Sequence, residues 1–67
     1  MTVTKVVELV AESPDSWKDA IDLAVEKASE TIHNISGVEV TNMTATVKDG
    51  KVTGYKADLH LAFRVDE

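Results

Sequence analysis

The stretch Val47-Lys48-Asp49-Gly50-Lys51-Val52, "VKDGKV", decides the fold. Asp-Gly between two extended runs is a strong signal for a two-residue hairpin turn, whose central residues both take positive φ. Downstream, "KVTGYKADLHLAFRV" alternates cleanly. Tyr55, Ala57, Leu59, Leu61, Phe63 and Val65 fall on one face, and Lys56, Asp58, His60 and Arg64 on the other. Upstream, "GVEVTNMTATV" reads as a partner strand. The apolar face of the hairpin must meet another element.

With Asp49 and Gly50 as the turn, Lys48 opposes Lys51, Val40 faces Leu59 and Val38 faces Leu61, all inward. Glu39 then lies opposite His60, and Thr41 opposite Asp58, on the outward face. Nearer the turn the pattern inverts. Met43, Ala45, Val47 and Val52 point outward, while Asn42, Thr44 and Thr46 point toward the helix side. A surface of period 2 cannot change its buried face without a second partner or a bulge. Of these two solutions we read the first: the hairpin tip reaches past its own helix and packs on another subunit.

The apolar face needs a helix, and the preceding sequence supplies one. "ESPDSWKDA" gives Ser13 as N-cap, Pro14 at the first helical position and Asp15 near the positive end of the dipole. From Trp17 the apolar stripe runs through Ala20, Ile21, Ala24, Val25, Ala28 and Ile32 at helical spacing. Its alanine-rich centre lets a sheet approach closely. Lys18, Asp19, Asp22, Glu26, Lys27 and Glu30 form the solvated face, and the helix is expected to end near His33 or Asn34. Gly37 in "ISGVEV" follows, either as the helix stop or as a place where a functional side chain is missing.

Residues 2–11, "TVTKVVELVA", read as a first strand. Val3, Val7 and Leu9 share one face, and Val6 and Val10 the other, which predicts burial on two sides. The order is therefore β-α-β-β. A right-handed crossover sets the first and second strands parallel with a gap between them, and the third fills the gap antiparallel to both. The expected fold is α+β: a three-stranded antiparallel sheet wrapped around one helix.

The totals bound the rest. Sixty-seven residues make a single domain, 1–67, and a chain of this size buries only about 60% of its unfolded surface, so its core needs a supplement. The sequence has no cysteine, which excludes disulfides and zinc-thiolate sites and leaves a metal or oligomerisation. A net charge of −5 argues against nucleic acid as a partner. No apolar run approaches the roughly 20 residues of a membrane span, and "MTVTKVVELV" lacks a secretory pattern, so a cytoplasmic location is the expectation.

"KVVELVAESPDSWKDAIDLAVEKASETI", then "VEV", then "DGKVTGYKADLHLAF", resembles the dodecins, small flavin-storage proteins of β-α-β-β order that assemble as hollow twelve-subunit shells. The likeness covers nearly the whole chain and rests on Ser-Pro-x-Ser-Trp, Ala-Ser-x-Thr and Asp-Gly-Lys-Val. It implies a homododecamer that binds flavin, riboflavin or FMN, without catalysing a reaction. Two positions depart from the family's flavin site. Gly37 stands where a tryptophan commonly stacks on the isoalloxazine ring, and Lys56 where a glutamine commonly bonds the flavin edge. Ala11 replaces the family's usual glycine before the helix start. Stacking on an aromatic side chain contributes about 1–3 kcal/mol for nucleic-acid bases, so loss of the ring implies flavin binding weaker by about tenfold or more.

A flavin-free branch of the family is associated with calcium, which turns attention to the acids. Glu39 and Asp58 share the outward face with Thr41 and His60, beside Gly37, and offer the hard oxygens calcium prefers. Calcium takes about 6–8 oxygens, so neighbouring subunits, carbonyls or water must complete a site on these two carboxylates. The bland reading is a Glu39–His60 cross-strand pair and a solvated Asp58. His33 suits the negative end of the helix dipole better than a metal. Ser13 and Ser16 are capping residues rather than nucleophiles, since no base or nucleophile elbow accompanies them. Trp17 belongs to the core or a subunit interface. The sequence thus predicts a non-enzymatic oligomeric shell for a small ligand or divalent cation, calcium first, with flavin held by altered contacts as the alternative.

Overall fold

The computed structural model describes residues 2–65; the single-domain reading of 1–67 extends to Met1, Asp66 and Glu67, outside the described residues. The elements are β1 (Val3–Ser13), α1 (Trp17–Ser29), β2 (Ile35–Lys48) and β3 (Lys51–Val65). The sheet order is β1-β3-β2, with β3 antiparallel to both neighbours. This is the predicted β-α-β-β architecture. Asp49 and Gly50 both take positive φ, 52° and 77°, and close the hairpin with Lys48 opposite Lys51. That pair of angles matches the right-handed twist of the strands.

The core lies between α1 and the inner face of β3. Ala20, Ala57, Leu59 and Leu61 are fully buried, and Ala24 and Ala28 nearly so. Small helix residues bring the helix down onto the sheet, as the alanine stripe predicted. Trp17 closes the end of this layer. Its ring meets Tyr55 edge-on at 4.8 Å between centroids, and its indole N–H donates to the Thr44 carbonyl at 2.8 Å.

The helix boundaries differ from the sequence reading. Ser16, not Ser13, is the N-cap: its backbone is extended and its Oγ accepts from Asp19 N–H at 2.9 Å. Pro14 therefore lies outside the helix. Ser13 ends β1, almost fully buried, where its hydroxyl accepts from Asp15 N–H at 3.0 Å and donates to the Asp19 carboxylate at 2.6 Å. The helix stops at Ser29, so His33 lies past its last turn, on the chain leading to β2. Nor is Gly37 the stop. Asn34 carries the positive φ of 64°, while Gly37 is an extended residue within β2. Asparagine tolerates the left-handed region through its short polar side chain, so no glycine is required.

The expected inversion of faces near the turn is resolved by bulges. The predicted register holds from Val38 to Val40 and at Val47 and Lys48, and slips by one residue between. Thr41 is the extra residue on β2 and Thr53 on β3. Asn42, not Thr41, opposes Asp58, and Met43 opposes buried Ala57. Directly opposed residues share a face. Met43, Ala45, Val47 and Val52 therefore lie on the inner, core-bearing face, and Asn42, Thr44 and Thr46 on the outer. The inversion of the hydrophobic pattern was the trace of these bulges, and of its two causes the bulge is the one the fold uses.

Helix α1 packs mainly on β1 and β3 and reaches β2 through Trp17, leaving most of β2 uncovered. Met43 is 56% exposed, Val47 63% and Val52 50%. On the other face Val6 and Val10 are also exposed, so the two-sided burial predicted for β1 is not reached within one chain.

Candidate functional site

The outward face of the sheet is organised in rows, each formed by residues that the register sets side by side on β1, β3 and β2. Val6, Ala62 and Gly37 make the first row; Glu8, His60 and Glu39 the second; Val10, Asp58 and Asn42 the third; Glu12, Lys56 and Thr44 the fourth. Successive rows are two residues apart along a strand, or about 7 Å.

In the first row, a Cβ built on Gly37 would meet nothing within 4 Å. The glycine is not forced there by crowding, and the space above it is open to a side chain or a ligand. In the second row His60 lies between two carboxylates, Nε2 at 3.6 Å from Glu8 and Nδ1 at 3.5 Å from Glu39. All three side chains are substantially exposed, so solvent screens these contacts and each contributes about 0–1 kcal/mol.

The third row holds Asp58, half-buried between Val10 and Asn42. Thr41 Oγ1 donates to the Asp58 main-chain carbonyl at 3.1 Å, a contact made from the bulge. Among the described residues the Asp58 carboxylate has no ion-pair partner. In the fourth row Lys56 and Glu12 are opposed but not paired. Glu12 turns along the sheet instead, so that its Oε2 accepts from the Thr46 hydroxyl at 3.3 Å and lies over Gly54.

The structure thus sets Glu39 and Asp58 in adjacent rows of one exposed face. Gly37 and Lys56 share that face but stand three rows apart, about 20 Å along β3, too far for one small planar ligand to touch both within a chain. Among the described residues no three of His, Asp and Glu gather into a metal-holding group. Two residues of this face escaped sequence reasoning. Glu8 and Glu12 reach it only through the register of β1 on β3, and the helix between those strands hides that register from any local pattern.

Known proteins share this fold. The Dodecin family profile matches residues 3–66. Calcium dodecin of Mycobacterium tuberculosis is 32% identical over 97% of this chain and 92% of its own length. A crystal structure of that calcium-chelating antigen aligns at a TM-score of 0.82, with 29% identity over 96% of this chain and 91% of the other. Dodecin of Thermus thermophilus is 32% identical over 97% of this chain and 94% of its own length. The structure of dodecin from Streptomyces coelicolor aligns at a TM-score of 0.93, with 35% identity over 98% of this chain and 94% of the other. No described helix is long and apolar enough to cross a membrane. Element order, strand order and a match over nearly the whole chain agree: the protein belongs to the Dodecin family.

Proposed function

We propose that this chain is a non-enzymatic, single-domain subunit, residues 1–67, of a cytoplasmic homo-oligomeric shell that binds or stores a divalent cation, calcium first. The observation that carries the reading is the content of the outward face. Where the family resemblance places an aromatic ring there is open space at Gly37, and one and two rows away stand Glu39 and the unpaired Asp58. A relative covering nearly the same length is named for calcium. One chain supplies only two of these carboxylates, so a rotation axis of the assembly must bring in equivalents or carbonyls from neighbours. Glu39 must also exchange its contact with His60 for the cation.

Carboxylates gathered at an axis repel when no cation is present. Calcium is therefore expected to raise the melting temperature of the assembled protein by mass action, and EDTA to lower it. Glu39→Gln and Asp58→Asn should each reduce the shift. A wild-type melting curve indifferent to calcium, or a shift that survives both substitutions together, overturns this ligand set.

A second reading is flavin bound through altered contacts around Gly37 and Lys56. It is favoured by backbone likeness: TM-score 0.93 with the Streptomyces coelicolor dodecin against 0.82 with the calcium dodecin. Flavin retained through purification is yellow and quenched in fluorescence. A colourless protein that leaves added riboflavin and FMN unquenched at micromolar concentration eliminates this reading.

A further inference from the structure

We infer that the open edge of β1 in one copy receives the open edge of β2 from the next, antiparallel, with Val47 beside Leu9 and Lys48 beside Glu8. The inference rests on the homo-oligomeric shell proposed above and names a contact that builds it.

The sheet order β1-β3-β2 leaves two free edges, strands of 11 and 14 residues. Neither contains a proline, and long edges of this kind attract another strand. Among the described residues, no backbone hydrogen bond from outside the sheet reaches residues 8–11 or 45–48. Beside β1 runs a groove of about 480 Å³. Residues 9–12 line it in succession, inward and outward ones alike, so it follows the edge of the strand rather than either face. Leu23, Ala24 and Ala28 of α1 make an apolar opposite wall. An occupant that runs along an edge and presents apolar groups on its helix side alone is a strand.

This chain's own β2 cannot be that strand. It lies at the far edge of the sheet, two strand spacings or about 10 Å away beyond β3. The β2 strand of a second copy fits. Ala45 and Val47 are exposed on its inner face, and Lys48 on its outer face. A continued sheet keeps inner residues on the inner face, so Val47 must oppose an inner residue of β1. Opposite Leu9, it brings Ala45 to Ala11 within the groove and, on the outer face, Thr46 to Val10 and Lys48 to Glu8. A shift of two residues either way sets Lys48 opposite Val6 or Val10, with no carboxylate.

Charge favours the same register. Among the described residues Lys48 has no ion-pair partner, and the turn holds it opposite Lys51, a like charge whose repulsion an acid offsets. Glu8 has only its 3.6 Å contact with His60. The two edges are different surfaces, so the contact is heterologous. Each copy gives one edge and keeps the other, and the contact repeats until a rotation closes it.

The absence of native cysteine makes cross-linking a clean test. In the double variant Val10→Cys, Thr46→Cys the thiols belong to one opposed pair, within disulfide reach. Oxidation of the assembled variant should give covalent species larger than a dimer on a denaturing, non-reducing gel. The control Val6→Cys, Thr46→Cys, displaced along β1 by about 13 Å, should stay monomeric on the gel. Charge reversal reads the contact without cross-linking. Lys48→Glu or Glu8→Lys alone should raise the concentration of half-dissociation in sedimentation by about tenfold or more, and the two together should restore it to within about threefold of wild type. Circular dichroism verifies that each variant folds. A wild type that sediments as a monomer overturns the shell and this contact with it. An assembled wild type whose Val10→Cys, Thr46→Cys variant assembles but does not cross-link, or whose Lys48→Glu defect Glu8→Lys does not relieve, overturns the contact and leaves the shell standing.

Discussion

Gly37 bears on function through what it lacks. It is extended, its φ needs no glycine, and a Cβ there would meet nothing within 4 Å. A tryptophan is thus sterically admissible, and its ring would stand on the outward face beside Ala62. Gly37→Trp should raise affinity for riboflavin by about tenfold or more, the equivalent of about 1–3 kcal/mol of stacking, read as quenching of flavin fluorescence. An unchanged affinity would place the defect elsewhere, at Lys56 or in a contact across subunits. His60 carries less weight individually. Its two glutamate contacts are long and exposed, and contribute little to stability.

Local signals account for much of the element scale. The Asp-Gly turn, the alternation of β3 and the alanine stripe each have a direct physical cause within a few residues, and each is found where it was expected. The helix start was less legible because Ser13 and Ser16 are both good caps and both are followed by acids. Three-dimensional context decides between them: Ser13 is drawn into the buried end of β1, opposite Tyr55, leaving Ser16 to cap. Ser16→Ala should therefore cost about 1 kcal/mol of stability, and Ser16→Asp should keep most of it, as measured by urea unfolding. Equal losses from the two variants would refute the capping role. The candidate site was half legible for a similar reason. Glu39 and His60 face each other as the turn predicts because the bulge on β3 and the bulge on β2 offset one another. Asn42 against Asp58 depends on where a bulge falls, which the inverted pattern signals without locating, and Glu8 and Glu12 beside His60 and Lys56 depend on a non-local strand pairing that no periodicity encodes.

At the scale of the whole molecule the chain is extended. It measures 52 × 20 × 13 Å, with a radius of gyration of 13.8 Å, where a compact chain of this length would have about 11 Å. It exposes 4915 Å², against about 4,200 Å² for a compact monomer of 7.3 kDa. The excess has an address. Helix α1 covers mainly β1 and β3, so Met43, Val47 and Val52 extend the core-bearing face past the end of the core and stay largely exposed. The bulges at Thr41 and Thr53 sharpen the point, because they return these residues to the apolar face instead of letting them drift to the polar one. Two local irregularities that maintain an apolar surface make sense when another copy covers it. Val47→Asp tests this directly. Val47 is 63% exposed in the single chain, so a carboxylate there costs the isolated fold little, and circular dichroism of the variant should retain the wild-type helix and strand signal. In an assembly that buries the face, the same carboxylate must be desolvated without a partner, a penalty of several kcal/mol at every copy of the contact. Sedimentation should then find wild type as a large closed oligomer and Val47→Asp as small species. A variant that sediments with wild type would mean that this face stays in water, and that the shell closes through the helix side or the strand edges instead.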